Sequence, residues 1–394
     1  MAHKTLVGGT AYNITGGKSM VSGTTYNISG GRTMVGGTAY NINFVVIPQA
    51  YAMLYSDKNL VFQRGNEVES GKTLVNSYRG FESSSYSGNY AVPWNTNKRN
   101  INNVTFKDEI APISLAYWFS NIRNMRSINV TNLLWNKITS MAYTYAECRN
   151  LKNSPVCGDN VTDMSSTYFN CSNLTGSPVC GNNVTNMSNT YKNCFKLTGS
   201  PVCGDNVINM RNTYYGCRSL IGFPVCGNNV TDMSRTYFNC FKLTGSPVCG
   251  NNVINMYQTY YRCYNITGSP VCGENVTNMY GTYDCCFNLT GSPVFGNNVT
   301  DMAYAYANCR NLTGSPICKD NVISMAYTYT NCQNLTGSPV CGEKVTNMEG
   351  TYSSCYNLTG SLVCGNNVTS MAYTYAECRN LICSPICGEN VTNM

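Results

Sequence analysis

The chain has 394 residues, of which 11% are charged, and its 26 Lys and Arg against 19 Asp and Glu leave a formal net charge of +7 with a single histidine. That charged share is under half of the usual quarter or so, and the surplus Lys and Arg form no run, which argues against a basic nucleic-acid face. One histidine and scattered carboxylates give no triad, Cys–His pair or paired-carboxylate constellation, so no catalytic residues are assigned and the chain reads as a non-enzyme.

The first residues, MAHKTLVGGTAYN, lack a charged lead followed by an apolar stretch, so no secretory signal is read. No run approaches the ~18 apolar residues of a membrane span. The expectation is a chain made in a cytoplasm, without membrane insertion.

Residues 1–43 repeat every 14 residues, aligning Lys4, Lys18 and Arg32, and Tyr12, Tyr26 and Tyr40. Each unit reads as two short strands around a Gly-containing turn. Hairpins this small are marginal alone, so this module is expected to serve attachment or self-association. Residues 44–114 are irregular, with strand-like alternation in LVFQRGNEVESGKTLV, and read as a small β-rich adaptor.

Residues 141–394 repeat every 23 residues without insertion: Met141, Met164 and so on to Met394, with Tyr four residues after each Met but the last, then Cys, then Leu or Ile. A fixed period of this length marks stacked units that bury their apolar faces only against neighbours. Stepping back 23 residues from the array makes 115–140 a degenerate capping repeat, with Ile122 at the Tyr position, Met125 at the first Cys, Ile128 at the Leu, Leu134 at the second Cys and Ile138 at the Val. Within a unit, Val184, Met187, Tyr191, Cys194 and Leu197 have helical spacing. Thr185 is placed as its N-cap, Gly199 and Pro201 as its stop, and Val202–Cys203 as a short strand. The fold class is therefore an α/β solenoid of eleven leucine-rich-repeat-like coils, each a short strand and a short helix, stacked at ~4.8 Å behind small β-rich N-terminal modules. Asn206 and its equivalents, interrupted by Lys344, are expected to form an amide ladder. The array ends partway into a unit at Met394, and its apolar edge is expected to be covered by another subunit or by the chain's own last turn.

Of the 23 cysteines, eleven share one repeat position and ten another, where Phe295 substitutes once. An apolar body is what that position requires, so reduced core columns are expected. Bridging between stacked equivalents is the alternative. Off the columns, Cys285 and Cys383 are read as the more reactive thiols. Zinc is disfavoured, because no C-x2-C pairs with a second one and His3 stands alone. Calcium is disfavoured because the turns offer mostly Asn. Asp159, Asp163, Asp205, Asp232 and Asp301 are read as Asx-turn or cap residues. No metal or cofactor is assigned.

Between the frame residues lie variable positions. After the frame Tyr come Phe169, Tyr215, Phe238 and Tyr261; after the first Cys come Phe195, Arg218, Phe241, Tyr264 and Phe287, and Arg262 lies beside them. Stacking would join these into an aromatic strip flanked by cations, the candidate binding surface. The competing reading is that they cover the convex side of the helices or pack against a neighbouring copy.

The unit V-T-N-M-x-x-x-Y-x-x-C-x-x-L-T resembles the BspA-like leucine-rich repeats, whose usual form has Phe in place of this Tyr. AYAMLYSDKNLVF, VPW and VTFKDEIAPISLAYWF before the array extend the resemblance over roughly residues 50–394. It implies a right-handed solenoid with surface-exposed, adhesive or interaction roles, in bacteria and their phages. The Gly-rich units at 1–43 look instead like short repeats of phage structural proteins. Together these imply a virion protein of the tail, fibre or capsid, which needs no export signal. Its expected partners are other virion proteins through the N-terminus, host-surface glycan or protein through the solenoid, and copies of itself. The alternatives are a bacterial surface adhesin or a purely structural decoration.

Overall fold

The computed structural model describes residues 47–394 except 89, 154–156, 361–363, 383–385 and 387, together with the backbone of four strands before residue 28. The first two 14-residue units form antiparallel hairpins, β1 (His3–Val7) with β2 (Thr10–Ile14) and β3 (Lys18–Val21) with β4 (Thr24–Asn27). The third unit lies outside the described residues.

The irregular region supplies a five-stranded mixed sheet of order β7-β5-β6-β8-β9, from β5 (Ala50–Tyr55), β6 (Asn59–Arg64), β7 (Leu74–Arg79), β8 (Asn103–Phe106) and β9 (Ser127–Asn129). β5 pairs antiparallel with β6 and β7, whereas β6, β8 and β9 run parallel. One face of this sheet buries Phe62, Phe106, Trp94, Trp118 and Phe119 in a core that continues without a break to Met371.

From Met141 onward equivalent residues stack. A parallel bridge joins the residue before each Met to its equivalent 23 residues on, from Ser140↔Asp163 to Ser370↔Asn393. No α-helix is present among the described residues; the only helices are short 3-10 turns at Asn95–Asn100 and Trp135–Lys137. The expected helix is replaced by consecutive tight turns. The N–H groups of Met164, Ser166, Tyr168 and Asn170 donate to carbonyls of the next unit at 2.8–2.9 Å, while those of the intervening Thr167, Phe169 and Cys171 donate three residues back within the unit. Ser166 (φ 54°) and Asn170 (φ 59°) are left-handed, as are their equivalents, which an α-helix does not allow. Turns with three-residue closure reproduce the 3- and 4-residue apolar spacing of a helix. The pattern alone therefore does not separate the two.

The expected strand at Val202–Cys203 is also absent, and its backbone is served by the frame Tyr. The Tyr214 hydroxyl donates to the Val202 carbonyl at 2.7 Å and accepts from the Val202 N–H at 2.9 Å. That is why the position holds Tyr and not Phe: the hydroxyl replaces a ladder for a segment that Pro201 keeps from pairing.

Two local expectations change. Thr185 caps no helix, and its hydroxyl instead donates to the Thr162 carbonyl at 3.2 Å. The capping role falls to the next residue, as Asn186 Oδ1 accepts from the Ser188 N–H at 3.0 Å. Asp163, Asp232 and Asp301 do the same, in keeping with their reading as Asx-turn residues. The Asn206 amide donates to the Asn182 backbone carbonyl at 3.0 Å, so the ladder runs from amide to backbone, and Lys344 donates to Asn321 Oδ1 instead.

The capping repeat keeps its apolar character in a different register. Leu115 and Phe119 donate to Ser140 and Thr144 as Met141 and Tyr145 donate to Asp163 and Thr167. Phe119 therefore occupies the Tyr column, stacked on Tyr145 at 5.7 Å. Ile122 falls at the Cys position and Met125 at the Leu, both fully buried. Later in the unit the 23-residue step holds, since Thr162 donates to Thr139. Three extra residues before Asn136 account for the shift.

Five inward columns (Val, Met, Tyr, Cys and Leu) are completely buried through the middle of the array. A sixth went unread in the sequence: Thr190 and its equivalents are buried, with Ala305 once in their place, and the Thr190 hydroxyl lies 2.7 Å from the Met187 carbonyl of its own unit and 2.9 Å from the Met164 carbonyl of the unit before. At the other end Met394 is 82% and Ile382 77% exposed, so among the described residues no last turn covers these two side chains.

Candidate binding face

In the turns that follow each Met the Thr, Tyr and Cys side chains are buried, whereas in the middle units the residue after the frame Tyr and the residue after the first Cys are half-buried or exposed. In the first of these columns Tyr215 stacks on Phe238 and Phe238 on Tyr261, both at 4.6 Å. Lys192 fills the gap between Phe169 and Tyr215, its ammonium 5.9 and 5.0 Å from the two rings. In the second, Arg218 lies between Phe195 and Phe241 at 5.0 and 5.8 Å. Phe241, Tyr264 and Phe287 then continue at 5.0 and 5.1 Å. Arg262 covers the outer face of Tyr261 at 5.1 Å. The structure thus places nine of the ten candidate residues in two neighbouring columns, with Arg262 lying over Tyr261.

A third column escaped the sequence reading. Tyr257 stacks on Tyr280 at 5.3 Å, and Tyr304 on Tyr327 at 5.0 Å, with Arg235 over Tyr257 at 5.0 Å. Its members sit one and two residues after the Met, and the change of position along the column hides it from a fixed-position comparison.

Ring faces are consumed by this stacking. Parallel rings about 5 Å apart gain an offset-stacking contribution but leave their edges and hydroxyls as the outward surface. Most of these aromatics are half-buried, and Phe195 is 38% exposed.

Most described thiols are buried and held above the usual thiol value; Cys249, hydrogen-bonded to Cys272, is lowered instead. Each first-column thiol from Cys171 on donates to the frame Tyr carbonyl of the preceding unit, as Cys240 does to Tyr214 at 3.1 Å, and Cys148 donates to the Phe119 carbonyl. Every described cysteine is a free thiol. Burial pushes Cys226 up to about 12 and Cys203 to about 11. Cys285, expected to be reactive, is likewise pushed up to about 12, by burial first and then by the neighbouring Asp284 carboxylate. Cys383 lies outside the described residues. Phe295 is buried in place of the second-column Cys, as the apolar reading of that position requires. One titratable group was missed entirely: Lys98, on the first 3-10 turn, is 5% exposed, and burial lowers its ammonium to about 8.

Residues 113–223 match the model of a family described as "Mycoplasma protein of unknown function, DUF285". The match covers the capping repeat and the first units, is consistent with a BspA-like repeat, and does not reach the Gly-rich units at 1–43. No curated protein and no solved structure matches the chain.

Proposed function

We propose that residues 115–394 form a leucine-rich-repeat-like solenoid, one turn per 23 residues, that acts as a non-enzymatic scaffold for recognising a host-cell surface. In this reading the scaffold belongs to a bacteriophage particle, attached through the hairpin units at its N-terminus. The observation that carries the binding role is the continuous outward column Phe169, Lys192, Tyr215, Phe238 and Tyr261 beside the Phe195-to-Phe287 column. Inward positions repeat one chemistry from unit to unit, while these outward positions change, as a surface specialised for a partner requires. Replacing Phe238, Phe241 and Tyr261 with Ser abolishes adsorption to cells if this reading holds. Undiminished adsorption by the folded variant assigns the columns to packing alone.

A second reading, a bacterial surface adhesin, is favoured by the match of residues 113–223 to a Mycoplasma family. Genomic neighbours separate the two, because a locus without capsid and tail genes removes the virion setting while leaving the scaffold role in place.

A further inference from the structure

Charge is distributed unevenly along the outward columns. In the turn segments from Ser188 to Phe287 the cations are Arg211, Arg218, Arg235 and Arg262, joined by Lys192, Lys196 and Lys242, and the one carboxylate is Asp284, at the end of the Tyr261 column, half-buried and accepting from the Asn308 amide at 3.0 Å. Asp205, Asp232 and Glu274 of the same units lie on the other part of each turn, and Asp232 is engaged with the Ser234 N–H. Among the described residues, none of these seven cations has a carboxylate within ion-pair distance.

The flanking units show what the same column does when its charge is satisfied internally. Arg149 and Arg379 occupy the position of Arg218, and each pairs with a Glu of its own unit, Glu147 at 2.8 Å and Glu377 at 3.1 Å. In the middle units the corresponding Glu position holds Asn193, Gly216, Asn239 and Arg262. No such Glu partner is present from Lys192 to Tyr261, and Asp284, near Arg262, is the one carboxylate at the far end of the columns.

These cations are also held in place. Arg218 is clamped between two rings, Arg235 lies over Tyr257 and donates to Gln258 Oε1 at 3.0 Å, and Arg262 lies over Tyr261. Burial first, and then the nearby Arg235 and Arg211, lowers the Lys192 ammonium below its usual value. That mutual repulsion is relieved by an anion lying across the columns.

We propose that this face, between Met187 and Tyr283, binds an acidic polysaccharide laid along the stacking axis. The inference rests on the scaffold reading above and names its ligand class. Planar guanidiniums suit bidentate contact with carboxylates, and Tyr hydroxyls at the ring edges suit a hydroxyl-rich chain. A single-stranded nucleic acid needs free ring faces for its bases, and these rings give theirs to each other. An acidic protein needs apolar pockets for anchor side chains, whereas the columns present flat edges.

The test uses the full chain and immobilised polygalacturonate, with its methyl-esterified form and single-stranded DNA as comparisons. Polygalacturonate is expected to bind, esterification to remove binding, and affinity to fall steeply as salt rises from about 0.05 to 0.3 M. Changing Arg211, Arg218, Arg235 and Arg262 to Gln together should weaken binding roughly tenfold or more, whereas Arg149→Gln with Arg379→Gln should leave it unchanged. Near-UV circular dichroism of the Tyr columns checks that both variants fold. Equal binding of the esterified polymer, tighter binding of DNA, or wild-type affinity in the fourfold variant each overturns the proposal. If polygalacturonate fails to bind while the Phe238, Phe241 and Tyr261 substitutions still abolish cell adsorption, the acidic-glycan inference falls and the scaffold reading stands.

Discussion

Around Phe62 the aromatic rings meet mostly edge to face: Phe81 at 85°, Trp94 at 84° and Phe119 at 81°. Along the array Tyr191 and Tyr214 lie at 0° and Tyr329 and Tyr352 at 3°, with centroids 5.6 and 5.7 Å apart. Both sets belong to one continuous core. The sheet region is free to choose a different residue at every site, so each ring takes the tilt its neighbours leave open. In the array each unit is nearly a translated copy of the last, and a translated ring can only lie parallel to its original. The same constraint fills the array with repeated polar-capable groups, Tyr hydroxyls, Thr hydroxyls and thiols, most of which find a backbone partner in the turn. The sheet core carries Phe, Trp, Ile and Leu instead.

Alkaline pH is the largest lever on that difference. The described cysteines run from Cys148 onward, so none lies in the sheet core. Burial holds Cys171 and Cys240 well above the usual thiol value, and Tyr214 and Tyr237 well above the usual phenol value. A group whose folded pKa is raised adds stability below its unfolded pKa and loses it as pH rises towards the folded one. Above about pH 8.5 the unfolded chain sheds thiol protons that the folded array retains, costing about 1.4 kcal/mol per pH unit for each thiol. Summed over the columns, the array is expected to unfold between about pH 9 and 11. Trp94, Trp118 and Trp135 all precede Met141, so Trp emission reports the sheet region and near-UV Tyr dichroism the array. The Tyr signal should be lost first. Simultaneous loss of both would make the two regions one cooperative unit, and an array intact at pH 11 would contradict the burial of the thiols.

Trp118→Ala acts on the other side of the comparison. Trp118 is fully buried among Phe62, Phe81 and Trp94, and its carbonyl accepts from Trp94 Nε1 at 2.7 Å. Truncation should cost about 3–5 kcal/mol, read as a lower denaturant midpoint. Because Phe119, the next residue, starts the Tyr column, the loss should also loosen the first units, with faster amide exchange at Tyr145 and Tyr168. Unchanged exchange there would mean that the capping unit does not template the array.

The repeat, its inward columns and the alignment of the outward aromatic positions were legible in the sequence, because a fixed period converts residue identity directly into position. The local backbone was not. Helical spacing in Val184, Met187, Tyr191 and Cys194 was matched by consecutive turns, and only the left-handed residues at Asn189 and Asn193 distinguish them. Gly216 at the same place as Asn193 was the available signal, since Gly and Asn share a tolerance for positive φ that Leu or Val lack. The register of the capping unit escaped because three extra residues break the period where identities have already degenerated. The stacking of rings onto each other, which turns a set of platforms into a set of edges, follows from side-chain direction, and the sequence spacing does not specify it.

The smallest effect tests why the array uses Tyr at all. The Tyr237 hydroxyl donates to the Val225 carbonyl at 2.7 Å and accepts from its N–H at 2.9 Å. The buried Tyr145 and Tyr306 hydroxyls have no such partner among the described residues. For Tyr306 the cause is visible: Val294, twelve residues earlier, donates instead to the Pro270 carbonyl and is 52% exposed, next to the buried Phe295 that replaces a Cys. Tyr237→Phe therefore strips two backbone groups of their partner and should cost about 1–3 kcal/mol, whereas Tyr145→Phe removes only an unpaired hydroxyl and should be neutral or slightly stabilising. Denaturant midpoints of the two variants, with amide exchange at Val225, measure the difference. Equal costs would mean that the column needs the phenol for packing alone, and that the Phe of the more usual repeat would serve here as well.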